Sequence, residues 1–277
     1  MPDLVPDLVP DLVPDLVPDL VPDLVPDLVA AVWLSYQSGM SEQVVTTHVN
    51  VGGDQDSRSV ALITMDDGKA NALSRSMIAD VRKALTAAEA DPGCIAAVIA
   101  GREGRFCAGF DLSVIQADDA SAVVAMVADG GELVHQIYGA TVPVVAACTG
   151  HALAAGALML LGADIRVGAE GPFKVGLNEV AIGMTLPDWA YTIARERISK
   201  RHLQRSITNA RLTDPVGAVD VGFLDRVVPD SQVVATAIEE ATALAALDIR
   251  AYGRMMREFR GETLVTMADQ IAADRNG

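Results

Sequence analysis

Short apolar runs alternate with amphipathic stretches along most of this chain. Residues 60–65 (Val-Ala-Leu-Ile-Thr-Met) form an unbroken run rich in β-formers, which predicts a strand. Ser74 then precedes apolar positions at Met77, Ile78, Val81, Leu85 and Ala88, the spacing of a one-faced helix that Pro92-Gly93 ends. The alternation continues with a strand over 96–100, a helix over 120–138 and a strand over 142–148. Residues 153–162 are apolar all round, which predicts a helix buried on most sides. A strand over 164–167 follows. After Pro187 the pattern turns mainly helical, over 189–198, 200–208 and 215–221. In the last of these Asp214 caps and Pro215 takes the first turn. A short strand over 224–228 leads into a long amphipathic helix carrying Val233, Val234, Ala237, Ile238, Ala241, Leu244 and Ala245 on one face. Strand and helix units followed by a helical tail predict an α/β core with a helical appendage.

The first residues break this pattern. Residues 2–29 are seven copies of Pro-Asp-Leu-Val. A proline every fourth residue removes a hydrogen bond from each helical turn and blocks a strand ladder, so residues 1–39 are expected to be an extended or disordered tail. Two readings fit: an acidic spacer or docking tail, or a translated tandem repeat with Met40 as the true first residue, which we favour. A core over 40–229 and a helical region over 230–277 then remain.

The 277 residues suffice for one large domain or two small ones, and 51% of them are hydrophobic. Only 4% are aromatic, so the core must be built of Ala, Val, Leu and Ile. The net charge of −16 argues against nucleic acid as a partner, although seven of the negative charges belong to the repeat. Cys94, Cys107 and Cys148 fit neither a disulfide framework nor a zinc spacing, and each lies among small apolar residues. They are expected to be buried hydrophobes in a reducing compartment, with no metal bound. There is no apolar run of about 18 residues and no signal-peptide pattern, so no membrane partner is expected and the cytoplasm is the expected location.

The candidate chemistry gathers around Glu179, in Val175-Gly176-Leu177-Asn178-Glu179-Val180-Ala181-Ile182-Gly183. Two upstream segments look built to present bare backbone N–H groups. One is Phe106-Cys107-Ala108-Gly109-Phe110-Asp111-Leu112; the other runs from Gly150 through Ala154-Ala155-Gly156 to Leu158. Gly109 permits a sharp turn, and the start of a helix at Ala154-Ala155-Gly156 favours an anion. One carboxylate facing two N–H donors can make and discharge an enolate.

Together with Lys69-Ala70-Asn71-Ala72-Leu73-Ser74 and the stretch from Ala218 to Pro229, these motifs resemble the crotonase, or enoyl-CoA hydratase/isomerase, superfamily from about Val60 to the C-terminus. The resemblance implies a ββα spiral core with a helical C-terminal trimerisation region, assembled as a homotrimer or dimer of trimers. It implies an acyl-CoA substrate, with coenzyme A entering as part of that substrate and no separate cofactor. Carried over by motif, the N–H groups of Phe110 and Ala155 hold the thioester oxygen and Glu179 is the catalytic base. Lys69, Ala70, Ala72 and Leu73 line the CoA pocket. Ala108, Gly109, Asp111, Leu112, Ala154, Gly156 and Leu158 complete the substrate site.

Hydratases of this family use two glutamates to hold a water. Here the first of those positions is Leu158, and only the second, Glu179, is acidic. The Gly176-Leu177-Asn178-Glu179 run is similar to that of the Δ3,Δ2-enoyl-CoA isomerases, which implies a double-bond shift from 3-enoyl-CoA to trans-2-enoyl-CoA. The alternatives are an enoyl-CoA hydratase and an acyl-CoA-binding protein with little turnover. Asp111 is expected to cap a helix, and His151 and His135 to pack. Asp188 and Trp189 are expected to line the acyl pocket. Met255 and Phe259 are expected to cap a neighbouring subunit's pocket or to pack.

Overall fold

The computed structural model describes residues 43–51, 58–117 and 119–276, apart from the side chain of Ile249. The Pro-Asp-Leu-Val tail expected over 1–39 lies outside the described residues.

The alternation read from the sequence winds into four successive turns. In each, a long strand is followed by one or two short strands and then by helix. The long strands are β2 (Ser59–Met65), β4 (Cys94–Ala100), β7 (Val144–Cys148) and β9 (Ile165–Ala169). The short ones are β3 (Ala72–Leu73), then β5 (Gly104–Cys107) with β6 (Gly109–Phe110), then β8 (Gly150–Leu153), then β10 (Val175–Gly176). The helices closing the turns are α1 (Arg75–Ala90), α2 (Leu112–Ile115) with α3 (Ala120–Tyr138), α4 (Ala155–Gly162) and α5 (Asp188–Arg197).

The long strands stack in parallel into a six-stranded sheet. Its edges are β1 (Val44–Asn50), antiparallel to β2, and β11 (Arg226–Val228), parallel to β9. The short strands form two small parallel sheets, β10-β8-β5 and β3-β6. This is the ββα spiral.

Local chemistry explains the helix boundaries. The Ser74 hydroxyl accepts from the Met77 N–H at 3.1 Å, and Met77, Ile78, Val81, Leu85 and Ala88 are the buried face of α1. Asp214 accepts from the Gly217 N–H at 2.7 Å at the head of α7 (Pro215–Val221), which follows α6 (Leu203–Ile207). The apolar run over 153–162 departs from expectation at its start. Leu153 ends β8, and the helix begins only at Ala155, because Ala154 takes φ 50°, ψ −124°.

α8 (Val233–Ala245) covers the six-stranded sheet, and α9 (Ile249–Asn276) lies across α3 and α5. The helices approach closely where α3 is bare: a Cβ on Gly131 would sit 2.9 Å from both Trp189 and Ile271. Arg260 of α9 is buried, and it donates to the Tyr138 carbonyl and to Asp164 Oδ1, each at 2.8 Å. No helix among the described residues is long and apolar enough to cross a membrane.

Candidate active site

The first N–H segment is held by a loop that folds on its own polar groups. Asp67 Oδ1 accepts from the Lys69 and Asn71 N–H groups at 2.7 and 2.8 Å, and its Oδ2 accepts from Ala72 at 3.1 Å. Burial raises the Asp67 carboxyl, but those N–H groups outweigh it and hold the pKa below the ordinary 3.8. Asn71 is fully buried at φ 52°, and its amide nitrogen reaches the carbonyls of Met65, Arg105 and Phe106. The loop delivers β3 to β6, pairing Ala72 with Gly109 and Leu73 with Phe110. The Asp111 N–H donates to the Leu73 carbonyl at 3.2 Å, and the Gly109 N–H donates to Cys107 Sγ at 3.4 Å. Between these two groups, on β6, Phe110 carries the candidate N–H.

The second segment meets the first at Gly109. Ala154 donates to the Gly176 carbonyl at 3.0 Å, and its own carbonyl accepts from Ala157 and Leu158. The Ala155 N–H thus belongs to the first turn of α4, where the helix offers no acceptor. A non-glycine at positive φ costs of order 1–3 kcal/mol, strain of the kind found at functional sites, and Ala154 carries it here. Gly109, at φ 98°, makes the approach possible: a Cβ there would lie 2.9 Å from Ala154 Cβ and 3.6 Å from the Ala155 nitrogen. Gly156 likewise lies under Cys107, whose carbonyl a Cβ would meet at 2.4 Å.

Glu179 reaches this place through β10. Val175 and Gly176 pair with Ala152 and Leu153, so the chain runs beside the head of α4 before Glu179 opens a 3-10 turn over Val180–Ile182. Glu179 is only 9% exposed, and its Oε2 is sealed from solvent with no hydrogen-bond donor. Burial raises its pKa above the ordinary 4.5, and the nearby backbone N–H groups of Glu179 and Asn178 oppose part of that rise.

A cavity of about 770 Å³ opens here. Ala108, Phe110, Leu112, Ala154, Leu158 and Glu179, all expected in the site, stand in its wall. Gly109, Ala155 and Gly156 lie behind it as the packed backbone just described. Asp111 is the expected cap, accepting from the Ser113 N–H at 2.9 Å. Lys69, Ala70, Ala72 and Leu73 are not in the wall: Lys69 is exposed, Leu73 is core, and the Ala70 carbonyl accepts from Ala108 N–H at 3.2 Å.

The acyl-pocket expectation for Asp188 and Trp189 is corrected. Leu186 and Pro187 fill that part of the wall, while Trp189 is fully buried between α3 and α9. The wall also holds Asn178, read in the sequence only as part of the Gly-Leu-Asn-Glu run and with its Oδ1 buried without a donor, and Asp274 from α9, which was not singled out.

The remaining candidates lie elsewhere. His151 Nδ1 accepts from the Lys174 N–H at 3.1 Å, and its ring packs edge-on to Phe173, as expected. Burial and then the Arg105 and Lys174 charges hold its pKa below 6.5. His135 donates from Nε2 to the Leu264 carbonyl at 3.2 Å, tying α3 to α9. The thiols of Cys107 and Cys148 are fully buried, which pushes both up to about 12, far from a reactive thiolate. Met255 and Phe259 are more than 70% exposed on α9. Among the described residues no cluster of three or more His, Cys, Asp or Glu could hold a metal.

Known proteins are similar to this chain in sequence and in fold. The family model described as "Enoyl-CoA hydratase/isomerase" matches residues 55–276. Human mitochondrial enoyl-CoA delta isomerase 1 is 28% identical over 215 residues, covering 76% of this chain and 71% of that protein. A structure of a Mycobacterium tuberculosis protein, described in one case as an enoyl-CoA isomerase and in another as a probable enoyl-CoA hydratase, superposes with a TM-score of 0.76 at 34% identity, covering 85% of this chain and 98% of the other. An enoyl-CoA hydratase from Mycobacterium ulcerans gives 0.78 at 33%, covering 85% and 99%. With the family's motifs in order along its spiral and its model matched over most of the length, the chain belongs to the enoyl-CoA hydratase/isomerase family of crotonase-fold, acyl-CoA enzymes.

Proposed function

We infer that this protein is a Δ3,Δ2-enoyl-CoA isomerase that moves a double bond with one glutamate. The observation that carries this reading is the environment of Glu179. It is a nearly buried carboxyl beside the head of α4, and the α4 residue in the same cavity wall is Leu158, which cannot bind or activate water.

The C2 protons of a 3-enoyl-CoA are acidified by both the thioester and the alkene. Glu179 removes one. The dienolate oxygen rests on the N–H groups of Phe110 and Ala155, where preorganised donors are each worth about 3 kcal/mol by analogy with other oxyanion holes. The protonated carboxyl then returns the proton at C4 and yields trans-2-enoyl-CoA. Desolvation suits both halves of this cycle, because it makes the carboxylate a stronger base and keeps the acid form accessible. The acyl chain occupies the mainly apolar cavity, and Lys69, exposed in the loop that supports β6, offers positive charge to the CoA phosphates.

The substitution Glu179→Gln keeps the shape and removes the base. Isomerase turnover is expected to fall about a hundred- to ten-thousandfold with little change in binding of a saturated acyl-CoA. A variant that turns over like the parent would defeat the assignment.

A further inference from the structure

Two carboxyl groups stand in the cavity wall, and the proposed chemistry uses only Glu179. The other is Asp274, near the end of α9. Its Oδ2 is sealed from solvent and has no donor. The adjacent Arg275 does not neutralise it, because that guanidinium is directed to Asp129 at 2.9 Å and Glu132 at 2.6 Å. Burial, and then the like charge of Asp188, raises the Asp274 pKa above its ordinary 3.8. Elsewhere the wall is mainly apolar, with Leu112, Ile115, Val123, Val127, Leu186 and Pro187.

An aliphatic chain laid along this wall meets a misfit at Asp274. Methylenes displace water from the carboxyl and give it no donor, which is unfavourable for any polar group. A second carboxylate would be repelled. Asp274 is only partly buried, and its other oxygen, Oδ1, is open; a hydroxyl on the chain supplies it a donor, and a hydrogen bond to a charged acceptor is among the stronger ones. We propose that Asp274 is a specificity-determining residue that selects acyl groups bearing a hydroxyl along the chain over plain aliphatic chains of equal length. This rests on the reading of the cavity as the acyl site.

The test compares kcat/KM for plain 3-octenoyl-, 3-decenoyl- and 3-dodecenoyl-CoA with their terminally hydroxylated counterparts, using the full chain and its Asp274→Leu and Asp274→Ala variants. Thermal melts establish that each variant folds. The parent is expected to favour the hydroxylated member by about ten- to a hundredfold at one or more chain lengths. Asp274→Leu is expected to lose that preference and favour the plain chain, and Asp274→Ala to lose it without inversion. The same preference ratio in parent and variants at every length would overturn the proposal. The isomerase reading fails separately, if the folded parent turns over none of these substrates. Calorimetric binding of the saturated pairs then decides: a hydroxyl preference that Asp274→Leu abolishes supports the role of Asp274, and no preference overturns it.

Discussion

Replacing Gly109 by alanine tests the junction on which the site is built. The added methyl would lie 2.9 Å from Ala154 Cβ, 3.2 Å from the Leu153 carbonyl and 3.6 Å from the Ala155 nitrogen. The first contact is closer than carbon atoms tolerate, and both Ala154 and Leu153 are fixed by strand pairing and by the Ala154–Gly176 hydrogen bond. Two costs therefore add. A side chain at φ 98° costs about 1–2 kcal/mol of backbone strain. Overpacking a close contact costs about 1–3 kcal/mol more. The variant should lose about 2–5 kcal/mol of stability, read by urea unfolding.

Its activity should fall further than stability explains. Relieving the contact pushes the Phe110 and Ala155 N–H groups apart, and loss of one oxyanion donor costs about 10²–10³ in rate. Gly104 provides the control: it has φ 72°, and its nearest new contact, with Phe173, would be at 3.9 Å. The Gly104→Ala variant should show the strain alone, about 1–2 kcal/mol, with turnover close to the parent. A Gly109→Ala variant that keeps turnover within a few-fold of the parent, measured under conditions where both are folded, would refute the placement of the oxyanion site.

Other consequences follow from the buried charges. In the proposed mechanism Glu179 must be ionised to act, and burial raises its pKa, so kcat/KM should climb with pH through an apparent pKa above 4.5. For stability the sign is opposite: the fold favours the neutral acid, so this contribution is present below the unfolded value and lost as pH rises through the folded one. The Glu179→Gln variant should therefore melt above the parent at neutral pH, by a margin that narrows as pH falls through the raised folded pKa and closes below 4.5. Asp164 is the carboxylate partner of the buried Arg260 at 2.8 Å and also accepts from the Val144 N–H at 2.7 Å. Asp164→Asn should cost about 3–5 kcal/mol in urea unfolding, because it leaves a guanidinium buried without its counter-charge.

Much of the fold was legible wherever burial is one-sided. The five apolar positions after Ser74 are the buried face of α1, and Asp214-Pro215 opens α7 as read. Among the strands of two to four residues β11 was read, within 224–228, but β3, β5, β6, β8 and β10 were not legible. Their partners are remote in sequence, and two residues carry no periodicity. The start of α4 was misplaced for a related reason: every residue of that helix is buried, so no polar face marks where it begins, and an alanine at positive φ leaves no sequence signal.

Within the candidate site, Glu179 and the two N–H segments were put forward through family motifs, because a lone glutamate after a strand has no distinctive spacing. The Asp67–Asn71 scaffold had a signal in its Asp66-Asp67-Gly68 turn residues that was not used. Asp274 had none, since only the packing of α9 on α3 and α5 brings it to the cavity.

The most direct test of the account is turnover of 3-hexenoyl-CoA and, separately, of trans-2-hexenoyl-CoA by purified protein. Fast formation of the conjugated 2-enoyl product, with almost no 3-hydroxyacyl product from the second substrate, is the predicted result. Fast hydration of the second substrate would contradict the single-glutamate mechanism and would require another group to hold the water beside Glu179.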